Sequence, residues 1–181
     1  MLIEEVNQLL KPGYQSVETG YFRLPNGQMH VRVLTRMPKC NGEMAVWWFK
    51  YLDNAEKYRM WHPKDHISFK PLTNGHIIEE KVGGEIWRAR IEFVDPSQLF
   101  DITKFQEANV EAAFCARGYT FEGKLHGVII HLMRKTYYGS EMRSRFWLFD
   151  ASEKAGAGLM QHCMEEMGNL ADFLPDLYAN K

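Results

Sequence analysis

The sequence predicts an α+β fold in which a curved antiparallel sheet wraps around a long C-terminal helix and encloses a cavity. Three observations point there. Segments of strand-like alternation follow one another through the middle of the chain, with turn signals between them. One long amphipathic helix closes the chain, with Leu159, Met160, Cys163, Met167, Leu170, Ala171 and Leu174 on one apolar face at 100° per residue. Strands and helices are therefore segregated along the chain rather than alternating, which is the α+β pattern. A chain of 181 residues suits one domain, 1–181, and contains no repeat, low-complexity tract or linker that would divide it.

Taken in order, Met1 to Leu10 reads as a short amphipathic helix ended by Lys11, Pro12 and Gly13. Tyr14 to Leu24 and Gln28 to Met37 read as two strands joined across Pro25, Asn26 and Gly27. In the second, Met29, Val31, Val33 and Met37 alternate with His30, Arg32 and Arg36, which predicts one buried and one wet face. Asn41 offers an N-cap to a helix through Ala45 to Phe49, with Glu43 in its first turn. Lys57 to His66 reads as irregular. His76 to Val82 and Glu85 to Asp95 flank Gly83 and Gly84, a two-residue hairpin signal. Pro96 to Asn109 is a connection with one short helix. Val110 to Tyr119, Lys124 to Tyr138 and Glu141 to Phe149 form a three-stranded meander turning at Gly123 and at Gly139 and Ser140. Pro175 is expected to stop the closing helix.

Composition narrows the function. Lys and Arg number 22 against 23 Asp and Glu, which favours neither nucleic acid nor an acidic membrane surface as partner. No segment is long and apolar enough to span a bilayer, and Glu4 and Glu5 break the apolar stretch that a signal peptide would need. Cys40, Cys115 and Cys163 lie far apart without a paired spacing, so reduced thiols and a cytoplasmic location are expected. Zinc-protease, serine-hydrolase, Walker and dinucleotide-binding motifs do not occur.

The chemistry-bearing residues fall into a few groups. His162 and Glu166, spaced i, i+4 at the border of the apolar helix face, supply either half of a metal site or an ordinary contact between turns. His62 and His66 flank Pro63, Lys64 and Asp65, where the proline stiffens the turn and Asp65 can orient an imidazole; solvated surface histidines are the alternative. Glu79 and Glu80 face opposite ways on a strand, and if Glu80 points inward with Ile78 it completes a set of two imidazoles and two carboxylates. Nitrogen and oxygen donors without thiolate suit zinc, with manganese or iron as alternatives. His131, between Ile129 and Met133 on one strand face, is either a satisfied core residue or a proton donor at the cavity. Tyr58 can hydrogen-bond a substrate hydroxyl or carbonyl. Arg143 and Arg145 read as structural ion-pair formers.

Trp47, Trp48 and Phe49 come first, followed by Tyr58, Trp61, His62, Pro63, Asp65 and His66, and then by Glu80, Val82, Gly83 and Gly84. Ser144 to Trp147 follow, and the closing helix brings His162, Glu166, Asn169, Leu170, Leu174, Pro175 and Tyr178. In this order, over roughly the last three quarters of the chain, these residues resemble the diacetylphloroglucinol hydrolase family. The resemblance implies a Bet v 1-like, helix-grip fold and a zinc ion held by His66, Glu80, His162 and Glu166, with Glu79 and Glu92 as alternatives to Glu80. It further implies retro-Claisen hydrolysis of a carbon–carbon bond between an acyl group and a phenolic ring of a small aromatic or polyketide-like substrate. Tyr58 matches a family tyrosine that contacts the substrate, and His131 is the candidate for the family's additional histidine. Trp47, Trp48 and Trp61 are expected to line a pocket for a flat ring. Family members carry an additional helical N-terminal region where this chain shows a short segment, so substrate and oligomeric state, a homodimer being one option, transfer less directly than fold and metal. Two other readings use the same cavity: a non-catalytic carrier or sensor of an apolar small molecule, and a metal-dependent cyclase or lyase.

Overall fold

The computed structural model describes residues 1–181. Eight antiparallel strands form one sheet: β1 (Gly20–Arg23), β2 (Met29–Pro38), β3 (His66–Leu72), β4 (Gly75–Val82), β5 (Glu85–Val94), β6 (Val110–Tyr119), β7 (Leu125–Thr136) and β8 (Gly139–Leu148). Their order across the sheet is β1-β2-β8-β7-β6-β5-β4-β3. The expected meander is present as β6, β7 and β8, and β2 closes back onto β8 along its whole length. Helices α1 (Gly42–Tyr51), α2 (Ala55–Trp61) and α3 (Glu153–Ala179) complete the chain. With α3 lying against β2 and the inner sheet face, this is the helix-grip arrangement. No helix is long and apolar enough to cross a membrane.

The larger core lies between sheet and helices. Met29, Val31 and Val33 of β2 and Met142 of β8 meet Cys163, Met167 and Leu170 of α3 there. At ~25 cal/mol per Å² of apolar surface, each such fully buried side chain contributes about 1.5–3 kcal/mol. The hairpin of β4 and β5 docks on α3 through glycines. A Cβ on Gly158 would lie 2.6 Å from the Gly83 Cα, and Gly83 itself turns at φ +60°, so both positions require glycine. This contact fixes β4 one turn before His162 on the helix.

Six expectations change. The first helix is a 3-10 helix, Ile3–Leu10, and it lies on the outer sheet face, where Val6, Leu9 and Leu10 join Ile130, Leu132 and Trp147 in a second core. On the same face His30 and Arg32 of β2 are buried rather than wet, His30 between the Phe22 and Trp147 rings and Arg32 over Phe22 with a bond to the Val17 carbonyl at 3.0 Å. Of the first predicted strand, only Gly20–Arg23 pairs. The connection from Pro96 to Asn109 holds two 3-10 turns, Pro96–Gln98 and Ile102–Lys104, instead of one short helix. The stretch read as irregular contains α2, capped by the Asn54 side chain accepting from the Glu56 and Lys57 amides, and opens β3 at His66.

Finally, α3 runs through Pro175. A proline removes the amide that would bond the carbonyl four residues back, here that of Ala171. The Cys40 thiol donates to this carbonyl at 3.7 Å instead. Beyond the proline, the Tyr178 ring packs edge-on against Trp47, and its hydroxyl donates to Glu43. Tertiary contacts thus hold the last turn.

Candidate metal centre

Three elements converge on one point. The first is the turn after α2: the amides of Asp65 and His66 both bond the His62 carbonyl, at 3.3 and 3.0 Å, and β3 starts at His66. The second is β4, where Glu80 is the cross-strand partner of His66, so both side chains emerge on the same sheet face. The third is α3, which carries His162 and Glu166 one turn apart. Trp61 locks α2 onto α3: its indole donates to the Glu166 carbonyl at 2.9 Å, and the Asn169 amide donates to the Trp61 carbonyl at 3.1 Å.

The ligand atoms of His66, Glu80 and His162 all lie within 4.8 Å of one another. Glu166 joins through His66, its Oε1 standing 3.3 Å from His66 Nε2. Glu80 Oε2 stands 3.7 Å from both His66 Nε2 and His162 Nε2. A tetrahedral cation with arms of about 2.0–2.2 Å has donor–donor edges of roughly 3.3–3.6 Å, close to these separations. His66 Nδ1 bonds the Tyr58 carbonyl at 2.7 Å, which makes it the protonated nitrogen and leaves Nε2 with a lone pair. That Nε2 is buried and has no hydrogen-bond partner. His162 is oriented likewise, its Nδ1 lying 3.3 Å from Asp65 Oδ2. An imidazole held at one nitrogen by a carbonyl or carboxylate, with the other aimed at a shared point, is the usual posture of a ligating histidine. The residues present fit a divalent cation.

Electrostatics agree with the geometry. Burial works against the charged form of His162, yet Glu80, Glu166 and Asp65 outweigh it and hold its pKa above the ordinary value. Burial likewise opposes ionisation of Glu166, and the neighbouring imidazoles, His66 first and then His162 and His131, outweigh it and lower its pKa. Tyr58 is kept a neutral phenol, raised well above 10 by burial and by the charges of Glu80 and Glu166. Its hydroxyl donates to Glu80 Oε2 at 2.5 Å, and its ring stacks on His66 at 3.6 Å.

Glu80, His162 and Glu166 of this cluster, with Tyr58, line a cavity of about 330 Å³ between sheet and helices, and His66 does not. Fifteen of its 21 lining residues are hydrophobic, so the site takes a largely apolar ligand with its polar atoms at the cluster. His131 lines this cavity too; its Nδ1 meets the Ser144 hydroxyl at 2.8 Å, leaving Nε2 for a ligand, and burial pushes its pKa down to about 4. Trp61 lines the cavity, but Trp47 and Trp48 do not. Trp48 is fully buried against Phe173, and Trp47 stacks on Tyr51, because α1 turns both into the helix packing.

A model of the DAPG hydrolase PhiG domain matches residues 1–157. The chain belongs to this family. It is also similar to 2,4-diacetylphloroglucinol hydrolase of Pseudomonas protegens, 26% identical over 222 residues that cover 97% of this chain and 72% of that protein. Phloretin hydrolase of Eubacterium ramulus is 26% identical over 216 residues, covering 98% of this chain and 78% of that protein. Among solved structures, a protein from Mesorhizobium loti has a TM-score of 0.50 at 16% identity, over 80% of this chain and 96% of that one, a likeness of fold.

The DAPG hydrolase match ends before His162 and Glu166, but the two hydrolase relatives extend over α3. Asp65 does orient an imidazole, as its place in the sequence suggested, and the fold makes that imidazole His162; the service of Ser144 to His131 had no signal in the sequence. Ser144 is the cross-strand partner of His131, a pairing legible only once the β7–β8 register is known. Glu79, the alternative to Glu80, points outward to Arg88 at 3.1 Å. Glu92 pairs with Arg90 on β5, away from the cluster.

Proposed function

We propose that this chain is a zinc-dependent hydrolase that cleaves the carbon–carbon bond between an acyl group and a phenolic ring. The observation that carries this reading is the buried, unpartnered Nε2 of His66, facing Glu80 and Glu166, which line an apolar cavity. Family membership supplies the class of chemistry. In a diacetylphloroglucinol, the bond that water can open to release an acid is the one joining acyl carbon to ring carbon.

His66, Glu80, His162 and Glu166 would hold the metal. When bound, zinc supplies Lewis acidity toward the acyl carbonyl and lowers the pKa of water. The chain's own residues do the rest. Tyr58 gives its one phenolic hydrogen to Glu80 and so holds that carboxylate in place, which leaves its oxygen at the cavity wall to accept a hydrogen bond from a substrate hydroxyl. The apolar lining excludes water and favours a flat aromatic body. Water adds to the acyl carbon, the bond to the ring breaks, and its electron pair passes to the ring carbon, where the phenol oxygens delocalise it. That carbon needs a proton. His131, neutral at pH 7 and held at Nδ1 by Ser144, offers Nε2 to carry it from the attacking water. Free, buried thiols at Cys40, Cys115 and Cys163 favour a cytoplasmic setting.

Elemental analysis of purified protein, beside an assay of 2,4-diacetylphloroglucinol and phloretin for release of the acid, tests the reading. About one tightly held zinc per chain with turnover of an acylphenol is expected. Tight binding of an acylphenol without metal and without turnover would favour the carrier reading instead, since the apolar cavity suits that role as well.

A further inference from the structure

The cavity carries a polar side chain that the proposed chemistry does not use. His76, Ile78 and Glu80 are alternate residues of β4, and all three line the cavity, with His76 four residues along the strand from Glu80. The His76 imidazole packs between two rings, its centroid 4.9 Å from that of Phe69 on β3 and 5.4 Å from that of Phe93 on β5. It makes no hydrogen bond within the fold. Neither of its nitrogens is sealed in as Nε2 of His66 is, so the ring is open to the space it lines. Burial pushes its pKa down to about 4, with the Glu166 carboxylate working the other way. At pH 7 it is therefore a neutral ring with one N–H to donate and one lone pair to accept. Apart from Tyr58, the cluster and His131, the polar lining is the exposed Lys50 and Cys115, a neutral thiol that burial pushes up to about 12.

Spacing limits what His76 can reach. Four strand residues span about 13 Å at ~3.3 Å each; taking off a metal–oxygen bond of about 2 Å and a hydrogen bond of about 2.8 Å leaves about 8 Å. One benzene ring lying lengthwise, with an acyl oxygen at one end and a hydroxyl across the ring, fills such a gap. Ile78 and Ile91 in the wall between offer that ring only apolar contact, which does not fix how far it slides or turns. A hydrogen bond at the far end does.

We propose that His76 binds the ring hydroxyl para to the acyl group and so selects acylphenols that carry one. This binding mode rests on the hydrolase reading at the acyl end and adds the far end of the substrate. A ring without that hydroxyl leaves the enclosed imidazole facing a bare carbon, its hydrogen-bonding groups unpaired, which is what makes such a residue selective.

Two acetophenones that differ by one hydroxyl test this: 2,4,6-trihydroxyacetophenone, and 2,6-dihydroxyacetophenone, which lacks the para group. Each is measured on the purified protein as kcat/KM and as Kd, the latter by stopped-flow quenching of tryptophan emission before turnover, since Trp61 lines the cavity. Wild type is expected to bind the trihydroxy compound about tenfold more tightly or better. His76→Phe, which keeps a ring between Phe69 and Phe93, should bring the two Kd values together and lower the kcat/KM ratio by the same factor. The hydroxyl's electronic effect on ring departure is common to both proteins and cancels in that comparison. His76→Gln, which still pairs with a hydroxyl, should restore part of the preference. Equal Kd values in wild type, or a preference that His76→Phe leaves unchanged, overturns the proposal. Absence of turnover with the preference in Kd intact sinks the hydrolase reading and supports this one, whereas turnover with equal Kd values does the reverse.

Discussion

Two buried polar clusters lie on opposite faces of the sheet, and they are built differently. On the outer face, Arg143 donates to Glu18 and, at 2.8 Å, to the Leu9 carbonyl. Arg145 donates to the Val33 and Ser144 carbonyls and to Glu18, and Arg134 pairs with Glu141 nearby. Each of these three guanidiniums makes three hydrogen bonds within the fold, and Arg145 Nε alone among their nitrogens is buried without a partner. On the inner face, Ser144 points to His131, and the cluster at His66 leaves imidazole nitrogens unmatched while carboxylates crowd around them. A satisfied buried network stabilises one structure, whereas an unsatisfied one of matched donors is poised for something from outside. The outer cluster serves the fold, and the inner one is where the proposed chemistry is placed.

Substitutions should separate these roles. The largest effect is expected for His162→Ala, which should lose the metal and reduce turnover at least about a thousandfold, read by zinc content and kcat/KM. Tyr58→Phe, by contrast, should keep its zinc while kcat falls. Next comes Glu18→Ala on the outer face. It strands Arg143 and Arg145, which are essentially inaccessible, and should lower unfolding free energy by about 3–5 kcal/mol in urea titrations. His66→Ala in metal-free protein should lose far less. If both variants prove equally destabilising without metal, the contrast between the clusters is wrong.

Acid sharpens the comparison further. Burial lowers His30 to about 3, and His76 and His131 to about 4, from an ordinary 6.5. Because these folded values are depressed, the unfolded chain binds protons first as pH falls. Stability from the three is therefore complete above about 6.5 and drains as pH drops toward 4, by up to ~1.4 kcal/mol per pH unit for each. Urea midpoints measured at pH 7.5 and 5 on metal-free protein check the sign; a midpoint rising on acidification would contradict it. The smallest effect is expected for Glu79→Ala, the outward neighbour of Glu80. It should change stability by no more than about 0.5 kcal/mol and leave zinc content unaltered.

Much of this was legible in the sequence because period and turn chemistry are local. Alternation located β4 to β8, glycine pairs marked the hairpins, and the 100° period placed His162 and Glu166 at the edge of the buried face of α3. Motif order gave the family before any coordinates. Local signals failed where distant segments override them. His30 and Arg32 alternate as a wet face does, but Phe22, the Val17 carbonyl and, from far along the chain, Trp147 cover them. Pro175 breaks the helical rule, but the thiol of Cys40 takes up the carbonyl it frees.

The sequence by itself determined the α+β class, the long closing helix and the residue types available for chemistry, since each depends on neighbours within a few turns. Tertiary structure alone decided that Glu80 rather than Glu79 faces His66, that Asp65 serves His162, and that Ser144 holds His131. Each of those depends on strand register or on the docking of α2 onto α3, and a shift of one residue in register turns every side chain to the opposite face.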